Sequence, residues 1–418
     1  MPFVSKVKAA AVASSAVVAL FAASAAMAVT VGPVTDEIGV VKIPKGAPIQ
    51  IGGYYTLSGP DISLGLDQKR GVEIAFDDWN NEVVGHPIRF TVEDSQCNAE
   101  GGQTSATKLA SNQNIVVVIG PDCSSAATPG APILWRAGIA SIGTSTTAPS
   151  LTAPDRKEGY HGYLRTIYND LAAGAADAEY FHGELGCTTM ATVHDGSPYT
   201  EQLVRVAEAR FQELGGSITA AEAVTPTDVD MRPLLTGIAT GKPCVLYFPV
   251  YVAAAAQIAR QAPEISGLED TQIIGGSAVM APGFLEAAGD IAVGFRLTNP
   301  DTSTASFGTG YGEFVEKYED KFGEKPITAF HANAYDGGIL TLMAIEKVAV
   351  KDDEGNTYIG RKALRDALFA TSGHQGLGGL IDCNEHGDCA GFKFAVYEFT
   401  DGDSATFEIG TNPKKIYP

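Results

Sequence analysis

Positive charge is scarce in this chain: its 418 residues hold 29 lysines and arginines against 49 acids, a net −20. A surface of that sign repels phosphate backbones and anionic lipid head groups, so nucleic acid is excluded as a partner. Catalytic signatures are missing too. The seven histidines form no H-E-x-x-H, and neither a G-x-S-x-G elbow nor a C-x-x-C occurs, so zinc, serine-hydrolase and thiol-redox chemistry have no apparatus. No repeat of about 20–50 residues is visible. Long apolar runs are absent as well: the stretch Ala9 to Ala23 is alanine-rich and falls short of the roughly 20 residues of a membrane span.

That stretch reads instead as an address. Lys6 and Lys8 precede it and the small-x-small site Ala26-Met27-Ala28 follows, the order of a secretory signal peptide, here 1–28. No cysteine follows the run, so a lipid anchor is not indicated. Cleavage leaves 390 residues and, without the two lysines, a charge of −22.

What is present points to a folded, multi-domain chain. Apolar residues make up 45% and charged residues 19%, too apolar for disorder, and the length exceeds the roughly 250–300 residues at which one core stops growing. After a Gly/Pro-punctuated leader, 29–48, strand-like and helix-like runs alternate. Ile49 to Tyr55 reads as a strand, and Val72, Ala75, Phe76 and Trp79 mark one face of a helix. Ile115 to Ile119 is a continuous β-branched run suited to a sheet covered on both faces. The alternation restarts near Thr189 and predicts a second sheet, with strand-like runs at Phe392 to Phe399 and Thr406 to Ile409 closing the chain. The class is α/β.

An exported chain favours disulfides among its six cysteines. Local proximity suggests Cys97–Cys123 and Cys383–Cys389. Cys187 and Cys244 remain, as a third pair or as buried thiols. Asp382-Cys383-Asn384-Glu385-His386-Gly387 begins like a calcium loop, but His386 and Lys393 stand where oxygen ligands belong, so no metal is expected. Gly308-Thr309-Gly310-Tyr311-Gly312 lacks the strand and spacing of a dinucleotide loop, and no cofactor is expected.

Several segments together resemble the periplasmic branched-chain amino-acid-binding proteins of ABC importers: Leu57-Ser58-Gly59-Pro60, Ile119-Gly120-Pro121-Asp122-Cys123-Ser124-Ser125, Thr146-Thr147-Ala148-Pro149-Ser150-Leu151-Thr152, Val193-His194-Asp195-Gly196 with Tyr199, and Gly391-Phe392-Lys393-Phe394. The resemblance implies two α/β lobes joined by three crossovers, near Thr166, Thr298 and Gly376. Lobe one is then 49–166 with 299–376, and lobe two 167–298 with 377–418. It implies a periplasmic, non-enzymatic, monomeric protein that captures a small carboxylate-bearing solute and hands it to a membrane permease, without itself entering the membrane. A periplasmic sensor and a secreted hydrolase on a similar scaffold are the alternatives.

The same resemblance supplies site residues. Ser124 and Thr147 match hydroxyls that hold the ligand carboxylate, with Ser145 and Thr146 beside them near the amine. Ser124 also follows a strand and opens a helical stretch, where backbone N–H groups favour an anion. Tyr199 and Tyr251 match tyrosines that close over the ligand, and Phe330 an aromatic on the side-chain pocket. Two positions depart from the pattern. Ser277 stands where the family has a glutamate that pairs with the ligand amine, and Leu64 replaces a tyrosine. Burying an ammonium without a counter-charge is costly, so either the ligand lacks an amine or another acid serves, with Asp122 and Asp336 the candidates. Each of those two also reads as a capping or inter-helix residue.

Overall fold

A computed structural model describes residues 28–418, so all but the last residue of the expected signal peptide lie outside the described residues. The chain builds two sheets of one pattern. In the first, strand Ile49–Tyr55 lies parallel between His86–Asp94 and Ile115–Ile119, followed outward by Ala140–Gly143 and Tyr163–Arg165. In the second, Thr189–His194 lies parallel between Ser217–Ala223 and Val245–Phe248, followed by Gln272–Gly275 and Arg296–Pro300. In both, the first strand has neighbours on either side, so successive connections leave in opposite directions and open a crevice at the strands' carboxyl ends.

Burial explains the β-branched run: every residue of Ile115–Ile119 is buried. Helix Ile62–Asp78 packs with His331–Val348, and Ala99–Ser111 packs with Ser124–Arg136. The second sheet is extended by two antiparallel strands, Phe394–Glu398 and Lys414–Tyr417. The strand expected at Thr406 to Ile409 does not form. A 3-10 turn, Ser404–Thr406, precedes it, and Phe407 and Ile409 anchor a loop against the second core instead of joining a ladder.

The leader is also corrected. Strand Val40–Ile43 pairs antiparallel with Thr357–Gly360, and the Asp36 carboxylate accepts from the amides of Lys362 and Ala363 at the start of helix Arg361–Phe369. These residues belong to the first lobe.

Three passages join the lobes. The first runs from strand Tyr163–Arg165 to helix Asp170–Glu179, which packs on Pro198–Glu213. The second differs from expectation: Thr298 sits inside strand Arg296–Pro300, and only beyond it does helix Tyr311–Phe322 reach Ile62–Asp78 of the first lobe. The third also shifts. Past Gly376 the chain stays on the first lobe, because the Asp336 carboxylate accepts from the amides of Leu377 and Gly378, and Ile381 and Cys389 enter the first core. It crosses between Cys389 and Phe394. Asp336 thus ties helix His331–Val348 to the loop at Leu377 and Gly378.

All six cysteines lie at bonding distance in three pairs, Cys97–Cys123, Cys187–Cys244 and Cys383–Cys389. No helix among the described residues is long and apolar enough to cross a membrane.

Candidate functional site

The carboxyl ends of the two sheets face one cavity. The first lobe contributes Leu64, Asp122, Ser124, Ser145, Thr147 and Phe330; all but Phe330 follow a parallel strand of its sheet, and Phe330 precedes helix His331–Val348. Tyr199, Tyr251 and Ser277 of the second lobe each lie just past one of its strands. Ala278 completes the wall. The residues named from sequence for the ligand are therefore on this wall except Thr146, whose hydroxyl is turned back onto the buried Tyr163 hydroxyl, and the candidate acid Asp336, whose carboxylate is taken up by the Leu377 and Gly378 amides. The cavity is narrow, about 20 Å³, room for about one water.

Local hydrogen bonds fix what each hydroxyl can still offer. Ser124 is the first residue of helix Ser124–Arg136, with Cys123 rather than Ser124 as its N-cap. Its Oγ accepts from the Ala148 amide at 3.2 Å, which leaves its own proton to give. The helix start adds free amides and a favourable dipole for an anion. Ser145 differs. It donates to the carbonyl of Asp122 at 2.5 Å, so only lone pairs remain for a ligand. Thr147 donates to Asp170 Oδ2 at 2.8 Å and likewise keeps only lone pairs while Asp170 is ionised.

Asp170 escaped sequence reasoning, since Asn169-Asp170 reads as the start of a helix. Its amide donates to the Thr147 carbonyl at 3.0 Å, fastening a second-lobe helix to the first-lobe loop. The carboxyl is fully buried, and Oδ1 has no hydrogen-bond partner among the described residues. Burial outweighs the Thr147 hydroxyl and the Arg165 charge and pushes it up to about 7. Burial first, then the charge of Asp170, also pushes the Tyr199 hydroxyl up, placing that acid within electrostatic reach of the cavity.

Asp122 is better satisfied. Its Oδ2 accepts from the Thr56 amide at 2.9 Å and Oδ1 from the Ser95 hydroxyl at 3.3 Å, yet burial still raises its carboxyl. Ser277 Oγ lies 3.2 Å from the Tyr199 hydroxyl, and the rings of Tyr199 and Tyr251 are 5.8 Å apart.

Arg165, also missed, holds the loop that carries Ser145 and Thr147. Fully buried, it donates to the carbonyls of Thr146 and Ala148 at 3.0 and 3.1 Å and to Asp388 at 2.6 Å. Across the mouth, Gln202 accepts from the Ser150 amide at 2.9 Å and donates to its hydroxyl at 3.0 Å. Asp61 Oδ1 accepts from the Val252 amide at 3.4 Å, and burial pushes that carboxyl up to about 6. No cluster of metal-binding side chains occurs among the described residues.

Two lobes of one pattern around a shared cavity agree with the sequence comparison: the family model described as Periplasmic binding protein matches residues 48–403. The chain belongs to the periplasmic binding protein family. Among relatives of this family, the Leu/Ile/Val-binding protein BraC3 of Rhizobium johnstonii is 27% identical over 360 residues, 85% of this chain and 93% of that protein. Two solved amino-acid-binding proteins share the fold. The leucine-binding protein LivK of Thermotoga maritima superposes with a TM-score of 0.75 at 23% identity, covering 85% of this chain and 96% of the other. LivJ of Streptococcus pneumoniae, solved in complex with isoleucine, gives 0.72 at 21%, covering 89% and 100%.

Proposed function

We propose that this protein is the exported, non-catalytic solute-binding component of an ABC importer, and that its cavity captures a small apolar α-amino acid. The observation behind this reading is the buried Oδ1 of Asp170, without a partner among the described residues, behind Thr147 of the cavity wall that also carries the start of helix Ser124–Arg136. An anion-favouring helix end on one side and an acid with acceptor lone pairs on the other complement a zwitterion. Asp170 then supplies the counter-charge missing at Ser277, and Thr147 serves the amine instead of the carboxylate. Leu64, Tyr251 and Phe330 supply apolar surface for the side chain.

In this reading the lobes part to admit solute and close over it, because the ligand binds the closed form better. The closed monomer then docks on a permease at the periplasmic face of the membrane. The names of its relatives and of the LivK and LivJ structures favour leucine, isoleucine or valine as cargo. Isothermal titration with these three amino acids is the test, and absence of heat with all three refutes the choice of cargo. Ser277 favours a second reading, a carboxylate without an amine. Titration with 4-methyl-2-oxopentanoate, the deaminated analogue of leucine, separates the two: an amino-acid site prefers leucine.

A further inference from the structure

Behind Ser277 lies a second, smaller chamber. It shares Tyr199 and Ser277 with the ligand cavity and runs into the second lobe to Tyr168, Asp177, Tyr247 and Asn299. Its volume is about 10 Å³, the space of one water-sized group. A glutamate at position 277, which the resemblance places there, needs more room than the serine occupies.

The chamber is lined with acceptors. Asp177 Oδ2 accepts from the Tyr247 hydroxyl at 2.6 Å. Asn299, 2% exposed, spends its amide nitrogen on the Pro300 carbonyl at 2.6 Å, while its Oδ1 is buried with no partner among the described residues. A buried acceptor without a donor is destabilising. One small donor group placed there satisfies it, and to reach it from the ligand cavity that group displaces the 3.2 Å contact between the Tyr199 and Ser277 hydroxyls. We propose that this chamber is the inner compartment of the ligand site and that it takes one hydrogen-bond-donating group of the ligand, a hydroxyl or amide nitrogen, at Asn299 Oδ1. The proposal rests on the amino-acid reading above and extends its cargo to amino acids bearing one small donor.

Three isosteric pairs test it on the unaltered protein by isothermal titration: threonine with valine, homoserine with norvaline, and asparagine with leucine. In at least one pair the donor-bearing member binds about fivefold tighter or more. Asn299→Leu removes that preference. If the hydrocarbon member binds as tightly or more tightly in all three pairs while leucine still binds, the chamber is a structural water site and the proposal is overturned alone. If no amino acid binds, the amino-acid reading falls and this proposal with it. Should Asn299→Leu fail to fold, the pair comparison decides by itself.

Discussion

Acidifying the solution should loosen the ligand through Asp170. Burial holds its carboxyl at about 7, against about 3.9 for an aspartate in the unfolded chain. Between those values the native protein holds a proton that the unfolded chain has released, so stability falls as pH rises from about 4 to about 7 and the full cost stands above 7. About three pH units at 1.4 kcal/mol each make that cost about 4 kcal/mol, an upper bound because Asp170→Asn also weakens the bond to Thr147. The variant should therefore be more stable than wild type at pH 8, and least so at pH 4. Ligand binding runs the opposite way. An ammonium selects the ionised carboxyl, so well below pH 7 each leucine bound expels one proton and affinity falls toward tenfold per unit, about 50-fold between pH 7 and pH 5. Calorimetric titration with leucine at pH 5, 6, 7 and 8, in two buffers of different ionisation heat, measures both the affinity and the proton. Asp61 and Asp177 also titrate high, at about 6 and about 7, and Asp170→Asn isolates the one at issue. A wild-type profile flat from pH 5 to 8, or an equal slope in Asp170→Asn, refutes the counter-charge assignment.

Ser124→Ala removes a hydroxyl on the cavity wall that has a proton left to give, and should weaken leucine binding by about 1–3 kcal/mol, read by calorimetric titration of the folded variant. Gln202→Ala cuts two hydrogen bonds across the mouth, so stopped-flow release of leucine should quicken about fivefold while circular dichroism is unchanged. Arg165→Met leaves Asp388 without its cation and the Ala148 carbonyl without its donor; urea unfolding should show a loss of about 3–5 kcal/mol. The bridges should differ by loop length: loss of Cys187–Cys244, 57 residues apart, costs about 4 kcal/mol, and loss of Cys383–Cys389, 6 apart, about 2 kcal/mol, as judged by urea midpoints of paired alanine variants.

Much of the site was legible because its residues follow strands. A β-branched run ending in Gly120-Pro121 and a serine two residues after Asp122 announce a strand-to-helix turn, and such turns gather at the carboxyl edge of a parallel sheet. Tyr199, Tyr251 and Ser277 obey the same rule in the second lobe. Thr146 did not fit because neighbours on a short loop face opposite ways, and only packing against Tyr163 decides which. The third crossing was misplaced for a related reason. Gly376-Leu377-Gly378-Gly379 reads as a linker, but the Asp336 carboxylate, 40 or more residues away in sequence, fastens it to the first lobe.

Sequence periodicity and composition determined the α/β class and the presence of two sheets, since each is a local property of apolar spacing and turn chemistry, while the hydroxyls at strand ends were read from the family resemblance. Which hydroxyl gives a proton and which accepts one was decided by tertiary structure, through partners such as Asp170, the Asp122 carbonyl and the Ala148 amide. So was the isolation of Asp170 Oδ1 and Asn299 Oδ1 from any donor among the described residues. Both depend on burial between segments distant in the chain, and no local pattern encodes that.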